Sequence, residues 1–204
     1  MCKIKDYEEK YSGYIELLKQ TLSKKRFTHS MNVAEMCYEL AVKHGEDTEK
    51  AYLAGLLHDI KKEETPNAQK SLAVLSGMDV SAEELETPAL WHGPAAAYHL
   101  KTKLDITDED ILLSVRYHTA GNADMSRLQK IVYLGDLVSA DRSYKDVEKY
   151  RKYSFDDLDG GMYHALKYSV GDTLSKGGLV PPCTINAYNF YTRIYNTKIK
   201  EKQK

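Results

Sequence analysis

Apolar residues recur along the chain mostly three and four positions apart, with little strand-like alternation, so the pattern predicts about eight helices joined by short polar loops. The first is expected over 7–22. The second covers 26–44, where Val33, Cys37, Leu40 and Ala41 share a face and Gly45 follows as a helix-ending glycine. His29 lies four residues before Val33 and falls on the same inward side. A third helix starts near Thr48 with Glu49 in its first turn. Its stripe of Ala51, Ala54, Gly55 and His58 is small enough to let another helix come close. A fourth begins near Asn67 and carries Leu72 and Leu75 to Gly77.

Pro88 suits a first helical turn capped by Thr87, and Gly93-Pro94 is placed to break or restart that helix beside His92. Thr107-x-x-Asp110 reads as a capping box with Asp in place of Glu. The helix it opens lines up Ile111, Val115 and His118 before Gly121 ends it. Ser126-x-x-Gln129 reads as a second capping box, opening a helix on which Val132 and Asp136 share a face. Helices are expected again over 156–175 and 184–198, with Pro181-Pro182 between them too short for a domain linker. The expectation is an all-α, single-domain chain over 1–204, with the candidate chemistry within 22–142 and C-terminal helices over 156–198. The Lys-rich end from 198 reads as a solvated tail.

Composition narrows the partners. Lys and Arg number 29 against 30 Asp and Glu, a net charge of −1, so there is no global basic field and a nucleic-acid polymer is not the expected partner. Cys2, Cys37 and Cys183 are odd in number and form no C-x-x-C pair, which argues against a disulfide framework or a thiolate zinc site and for a reducing cytoplasm. No segment approaches the roughly 20 apolar residues of a membrane span, so a cytoplasmic chain without a membrane partner is expected.

Four of the seven histidines, His29, His58, His92 and His118, sit at or near helix ends on predicted inward faces. One such histidine is ordinarily a satisfied core residue; two acids change that reading. Asp59 follows His58 at the end of Ala54-Gly55-Leu56-Leu57, and Asp136 lies inside the apolar run 131–138. A carboxylate in such surroundings carries a large desolvation cost unless a cation or several hydrogen bonds compensate it. Imidazole with carboxylate and no thiolate suits iron, manganese or zinc. One carboxylate can bridge two ions about 3.5–4 Å apart, and Asp59 is the candidate bridge. His44 and His164 read as exposed helix residues, His99 as undetermined, and Trp91 as packing that orients the helix of His92.

The segments RFTHS (26–30), AGLLHDIKK (54–62), LWHGPAAA (90–97), RYHTAG (116–121) and YLGDLVSADR (133–142) stand in an order that resembles the HD-domain superfamily of metal-dependent phosphohydrolases, and its YqeK-type branch more closely. The resemblance implies an HD-domain helical bundle with a two-iron centre that splits diadenosine tetraphosphate into two ADP. It makes His29, His58, Asp59, His92, His118 and Asp136 the metal ligands, and suggests a homodimer. The chain departs from the family pattern at Gly135, where relatives often carry Ala, and at Ile60, where they often carry an aromatic residue.

The implied chemistry is attack by a metal-bridging hydroxide on a phosphoanhydride, with Asp59 setting the metal separation and Lys62 and Arg142 as phosphate clamps. Thr119 and Arg26 are weaker candidates for the same task. Alternatives are a nucleotidase or nucleotide pyrophosphatase acting on smaller nucleotides, a non-catalytic nucleotide-binding regulator, and oxygen chemistry at an iron pair. The sixteen tyrosines assign no base contact, since aromatic residues at helical spacing are more often core.

Overall fold

A computed structural model describes residues 4–203; Cys2 lies outside them. Among the described residues there are twelve α-helices and one 3₁₀ turn, and no strand. In chain order they are α1 (Ile4–Lys10), α2 (Ser12–Thr21), α3 (Lys24–His44), α4 (Thr48–Leu57), α5 (Pro66–Leu75), α6 (Ala82–Glu86), the 3₁₀ turn Pro88–Leu90, α7 (His92–Lys103), α8 (Glu109–Tyr117), α9 (Arg127–Val138), α10 (Val147–Asp156), α11 (Leu158–Ser175) and α12 (Pro182–Lys202).

The all-α class holds, and the expected count of about eight is corrected for identifiable reasons. The helix expected over 7–22 is broken at Tyr11, which leaves helical geometry between α1 and α2. The five-residue α6 is too short to show a period and forms on a capping box in which Ser81 and Glu84 bond reciprocally. α10 buries only Val147 and Ser154, so its sequence carries almost no apolar signal. The chain beside His92 restarts as expected: Pro88–Leu90 forms a 3₁₀ turn and α7 begins at His92.

Two capping expectations change. Asp108, not Thr107, caps α8, its carboxylate accepting from the backbone N–H of Asp110 and Ile111. Ser126 does cap α9, but the Gln129 side chain donates to Asp110 at 2.9 Å instead of closing a box. The Lys-rich end is also not a free tail. α12 continues to Lys202, and Lys198 Nζ reaches the Asp157 carboxylate at 2.8 Å and Asp159 at 3.2 Å.

One apolar cluster runs from Tyr7 to Tyr191 and includes Leu18, Leu40, Leu56, Leu128, Leu134 and Met162. Each fully buried aliphatic side chain contributes roughly 1.5–3 kcal/mol relative to exposure. α3, α4, α8 and α9 pack against one another at its centre, α7 lies on α8, and α11 lies on α9 with α10 and α12 beside it. The small-residue stripe of α4 does what its spacing predicts. A Cβ at Gly55 would lie 3.1 Å from the Ala34 Cα and 2.9 Å from Cys37 Sγ, so α3 and α4 meet almost backbone to backbone. Among the described residues no helix is long and apolar enough to cross a membrane.

Candidate metal centre

His58 and His118 are held by the same local device. Each is the C-cap of its helix, α4 or α8, and each places ring Nδ1 2.7 Å from the carbonyl three residues earlier, Gly55 and Val115 respectively. A carbonyl can only accept, so Nδ1 carries a proton and Nε2 is the nitrogen turned inward. His29 on α3 is fixed from outside its helix: its Nδ1 lies 2.8 Å from Asp141 Oδ2, and Asp141 Oδ1 in turn accepts from Ser139 at 2.8 Å. His92 enters at the first residue of α7, where a Cβ at Gly93 would lie 2.8 Å from the Arg116 carbonyl, so α7 is pressed against the end of α8.

These elements bring His29, His58, Asp59, His92, His118 and Asp136 into one cluster. The first five are at most 3% exposed, while the Asp136 side chain, 19% exposed, forms the open edge. The His29 and His58 rings stand 5.3 Å apart between centroids, His58 and His118 4.9 Å, and His92 and His118 4.8 Å. Asp59 lies between them. Its Oδ2 is 3.4 Å from His58 Nε2 and 3.9 Å from His29 Nε2, while its Oδ1 is 3.3 Å from His92 Nε2 and 3.6 Å from His118 Nε2. Asp136 Oδ1 approaches His29 Nε2 at 2.9 Å and His58 Nε2 at 4.0 Å.

Three overlapping sets therefore offer converging donor atoms that could hold a cation: His29 with His58 and Asp59, His58 with His118 and Asp136, and Asp59 with His92 and His118. His58 Nε2 and Asp59 Oδ1 are buried without a hydrogen-bond partner in the protein. Carboxylate oxygens and imidazole Nε2 atoms turned toward one another suit a divalent cation, because both kinds of atom are lone-pair donors.

The two carboxylates and His92 are biased toward the protonation states a ligand needs, whereas neighbouring Asp59 raises the pKa of His58 against its burial. Burial alone would raise the Asp59 carboxyl, but His58, His118 and His92 overcome it and hold the group well below the usual carboxylate range. Asp136 is held down likewise, by His29, His58 and Arg142 against its burial. His92 is pushed well below the ordinary imidazole value by burial and by neighbouring His118, which favours the neutral form a metal ligand requires.

Fixed cations surround this cluster. Lys62 Nζ lies 3.2 Å from each ring nitrogen of His92, and burial lowers its pKa. Arg142 donates through Nε to the Asp136 carbonyl at 2.9 Å and through Nη2 to the Asp136 carboxylate. Arg26, the weaker candidate, meets Asp59 Oδ2 directly at 2.6 Å, and Thr119 Oγ1 lies 3.2 Å from His92 Nε2. Asp141 was not foreseen. It lies outside the apolar stretches whose burial marked Asp59 and Asp136, and only the path of the chain after α9 brings it to His29.

The histidines left aside are indeed elsewhere, but His44 and His164 are half-buried and not exposed. His44 Nε2 lies 2.8 Å from the Ser154 carbonyl, and His164 stacks on Tyr153 at 3.9 Å between centroids. Trp91 packs as expected, its indole donating to the Glu84 carbonyl at 3.0 Å. Of the two departures from the family pattern, Ile60 is a buried core residue. Gly135 is explained by Cys37, whose Sγ would lie 2.5 Å from a Cβ there.

Comparison with known proteins agrees with this geometry. The HD domain family model matches residues 26–141. The symmetrical bis(5'-nucleosyl)-tetraphosphatase of Halalkalibacterium halodurans is 34% identical over 177 residues, spanning 86% of this chain and 93% of the relative. The protein of the same name from Bacillus subtilis is 31% identical over 85% of this chain and 92% of the relative. A crystal structure described as a predicted HD superfamily hydrolase involved in NAD metabolism, from Clostridium acetobutylicum, superposes with a TM-score of 0.86 at 32% identity, covering 90% of this chain and 97% of that one. With the matched domain containing every imidazole and carboxylate of the cluster, this chain belongs to the HD domain family, in the branch of the symmetrical bis(5'-nucleosyl)-tetraphosphatases.

Proposed function

We propose that this chain hydrolyses symmetrical dinucleoside tetraphosphates, splitting diadenosine tetraphosphate into two ADP at a pair of metal ions. The observation that carries the reading is the position of Asp59, whose two oxygens face different histidines: Oδ2 toward His58 and His29, Oδ1 toward His92 and His118. In this reading Asp59 would be shared between the ions, with His29, His58 and Asp136 available to hold one and His92 and His118 the other. Iron is the proposed metal ahead of manganese or zinc, all three accepting this donor set.

When bound, such a pair supplies a water of lowered pKa as nucleophile and draws negative charge from the attacked phosphate. The protein's own part is positional. The two helix-end carbonyl bonds and Asp141 orient three imidazoles so that each presents Nε2 to the cluster. Arg142 and Lys62 stand at the edge of the cluster as the groups to clamp phosphate or stabilise the leaving group. Arg26 holds Asp59 from the side away from His92 and His118.

Metal analysis of the purified chain together with product identification tests this. About two metal ions per chain and release of ADP alone from diadenosine tetraphosphate are expected. ATP with AMP would replace the reading by asymmetrical cleavage, turnover of mononucleotides in preference would favour a nucleotidase, and binding without turnover would leave a regulatory module.

A further inference from the structure

Two hollows adjoin the metal-ligand cluster and share a wall. The inner one, 230 Å³, is lined by His118, Asp136 and Arg142 together with Tyr144 and Tyr168. The outer one, 280 Å³, lies between the 3₁₀ turn at Leu90, the α11 residues Tyr168 and Asp172, and the loop residues Leu179 and Val180. Thr119, Tyr168 and Ser169 line both. Each alone is smaller than the roughly 300–1,000 Å³ typical of a small-molecule site, but taken end to end they reach that range.

The two hollows differ in charge. The inner one holds the Arg142 guanidinium, which suits an anion. The outer one is lined by no basic residue; its walls are aliphatic at Leu90, Leu179 and Val180, and its single charged side chain is the carboxylate of Asp172, one oxygen of which accepts from Lys176 Nζ at 2.6 Å. Such a surface offers phosphate no lining cation and accepts a neutral, flat group that carries hydrogen-bond donors. Tyr168 stands where the two meet. It is 37% exposed and stacks on Tyr144 at 5.3 Å with 13° between planes, which leaves it fixed yet accessible. The hollow is also tied to the ligands: Leu90 precedes His92 by two residues, and Thr119 follows His118 directly.

Resting on the function proposed above, we infer that the outer hollow binds one nucleoside of the substrate, with Tyr168 contacting the base and Asp172 accepting from base or ribose donors, while the phosphate chain runs inward past Thr119 to Arg142. Tyr168 and Asp172 are then specificity-determining residues. They act on the nucleoside and leave the phosphate contacts untouched.

The test compares a ligand that carries the nucleoside with one that lacks it. ADP and inorganic pyrophosphate are titrated by calorimetry into the manganese-loaded chain, into Tyr168→Ala and Tyr168→Phe, and into Leu179→Asp, which adds a second carboxylate at a half-exposed position where folding is insensitive. Tyr168→Ala should weaken ADP on the order of tenfold, as loss of one base–aromatic contact does, with pyrophosphate affinity unchanged. Tyr168→Phe should retain ADP affinity, and Leu179→Asp should lose it. Equal ADP affinity in all four proteins, or parallel loss of ADP and pyrophosphate, overturns the assignment. Assay of the unaltered chain on diadenosine tetraphosphate keeps the two readings apart: failure to release ADP there sinks the proposed function, whereas the paired titrations decide the nucleoside site on their own.

Discussion

Arg116 and His118 lie two residues apart on the last turn of α8 and are equally buried, yet they belong to opposite kinds of polar cluster. Arg116 is closed. Its guanidinium meets Glu84 at 2.8 and 3.0 Å and donates to the Asp79 carbonyl at 2.6 Å, so one positive and one negative charge cancel inside the protein. His118 belongs to an open cluster, in which four imidazoles and two carboxylates converge; buried atoms without a hydrogen-bond partner occur in both clusters, His58 Nε2 and Asp59 Oδ1 here, Arg116 Nε and Glu84 Oε1 there. Burial alone therefore does not mark a functional site. Imidazole and carboxylate atoms that converge on one another mark it, because a fold gains nothing from desolvating so many lone-pair donors together unless a cation completes the set.

The sharpest way to break this contrast is Asp59→Ala, which removes the one group that faces both histidine pairs. Turnover of diadenosine tetraphosphate should fall by at least about a thousandfold, and metal analysis should show the pair lost. Helical content by circular dichroism should persist. Near-normal activity would end the two-metal reading.

In the closed cluster the effect should appear in stability. Glu84→Ala strands a buried guanidinium and should cost about 3–5 kcal/mol in urea unfolding, whereas replacing Glu84 and Arg116 together by apolar residues should restore most of that loss. A single substitution costing under about 1 kcal/mol would show that water reaches Arg116 and that the cluster is not closed.

A smaller effect is expected at the helix crossing beneath the cluster. Gly135→Ala forces a Cβ against Cys37 Sγ and should destabilise by about 1–3 kcal/mol. Combining it with Cys37→Ala should recover the loss, and a double-mutant cycle reads the coupling. Additive losses would mean that the two residues do not share the space. Last, Asp141→Ala frees the His29 ring to reorient and should weaken metal binding by about 10–100-fold without unfolding the chain. Unchanged affinity in a chelator competition would remove Asp141 from the site.

The open cluster was readable from sequence because its acids interrupt apolar runs. Asp59 after Leu56-Leu57 and Asp136 within 131–138 each pose a desolvation problem visible without coordinates. The closed cluster was not. Glu84 sits in a helix of five residues and Arg116 in a segment noticed only for its neighbour His118, and nothing local shows that residues 32 apart pair. Arg26 and Asp141 illustrate the same limit: each touches a ligand side chain, Asp59 or His29, from more than 30 residues away.

What the sequence by itself determined is the all-α class, the inward faces of the long helices and the order of the six candidate ligands. All three follow from helical periodicity and side-chain chemistry, which are local properties of the chain. Only the tertiary structure decided that the two oxygens of Asp59 face different histidines, that Asp141 and two backbone carbonyls fix the imidazoles, and that a hollow without basic residues opens beside Thr119. Those depend on how closely the helices pack, which Gly55 against Ala34 and Gly93 against the Arg116 carbonyl set through contacts between elements distant in the chain.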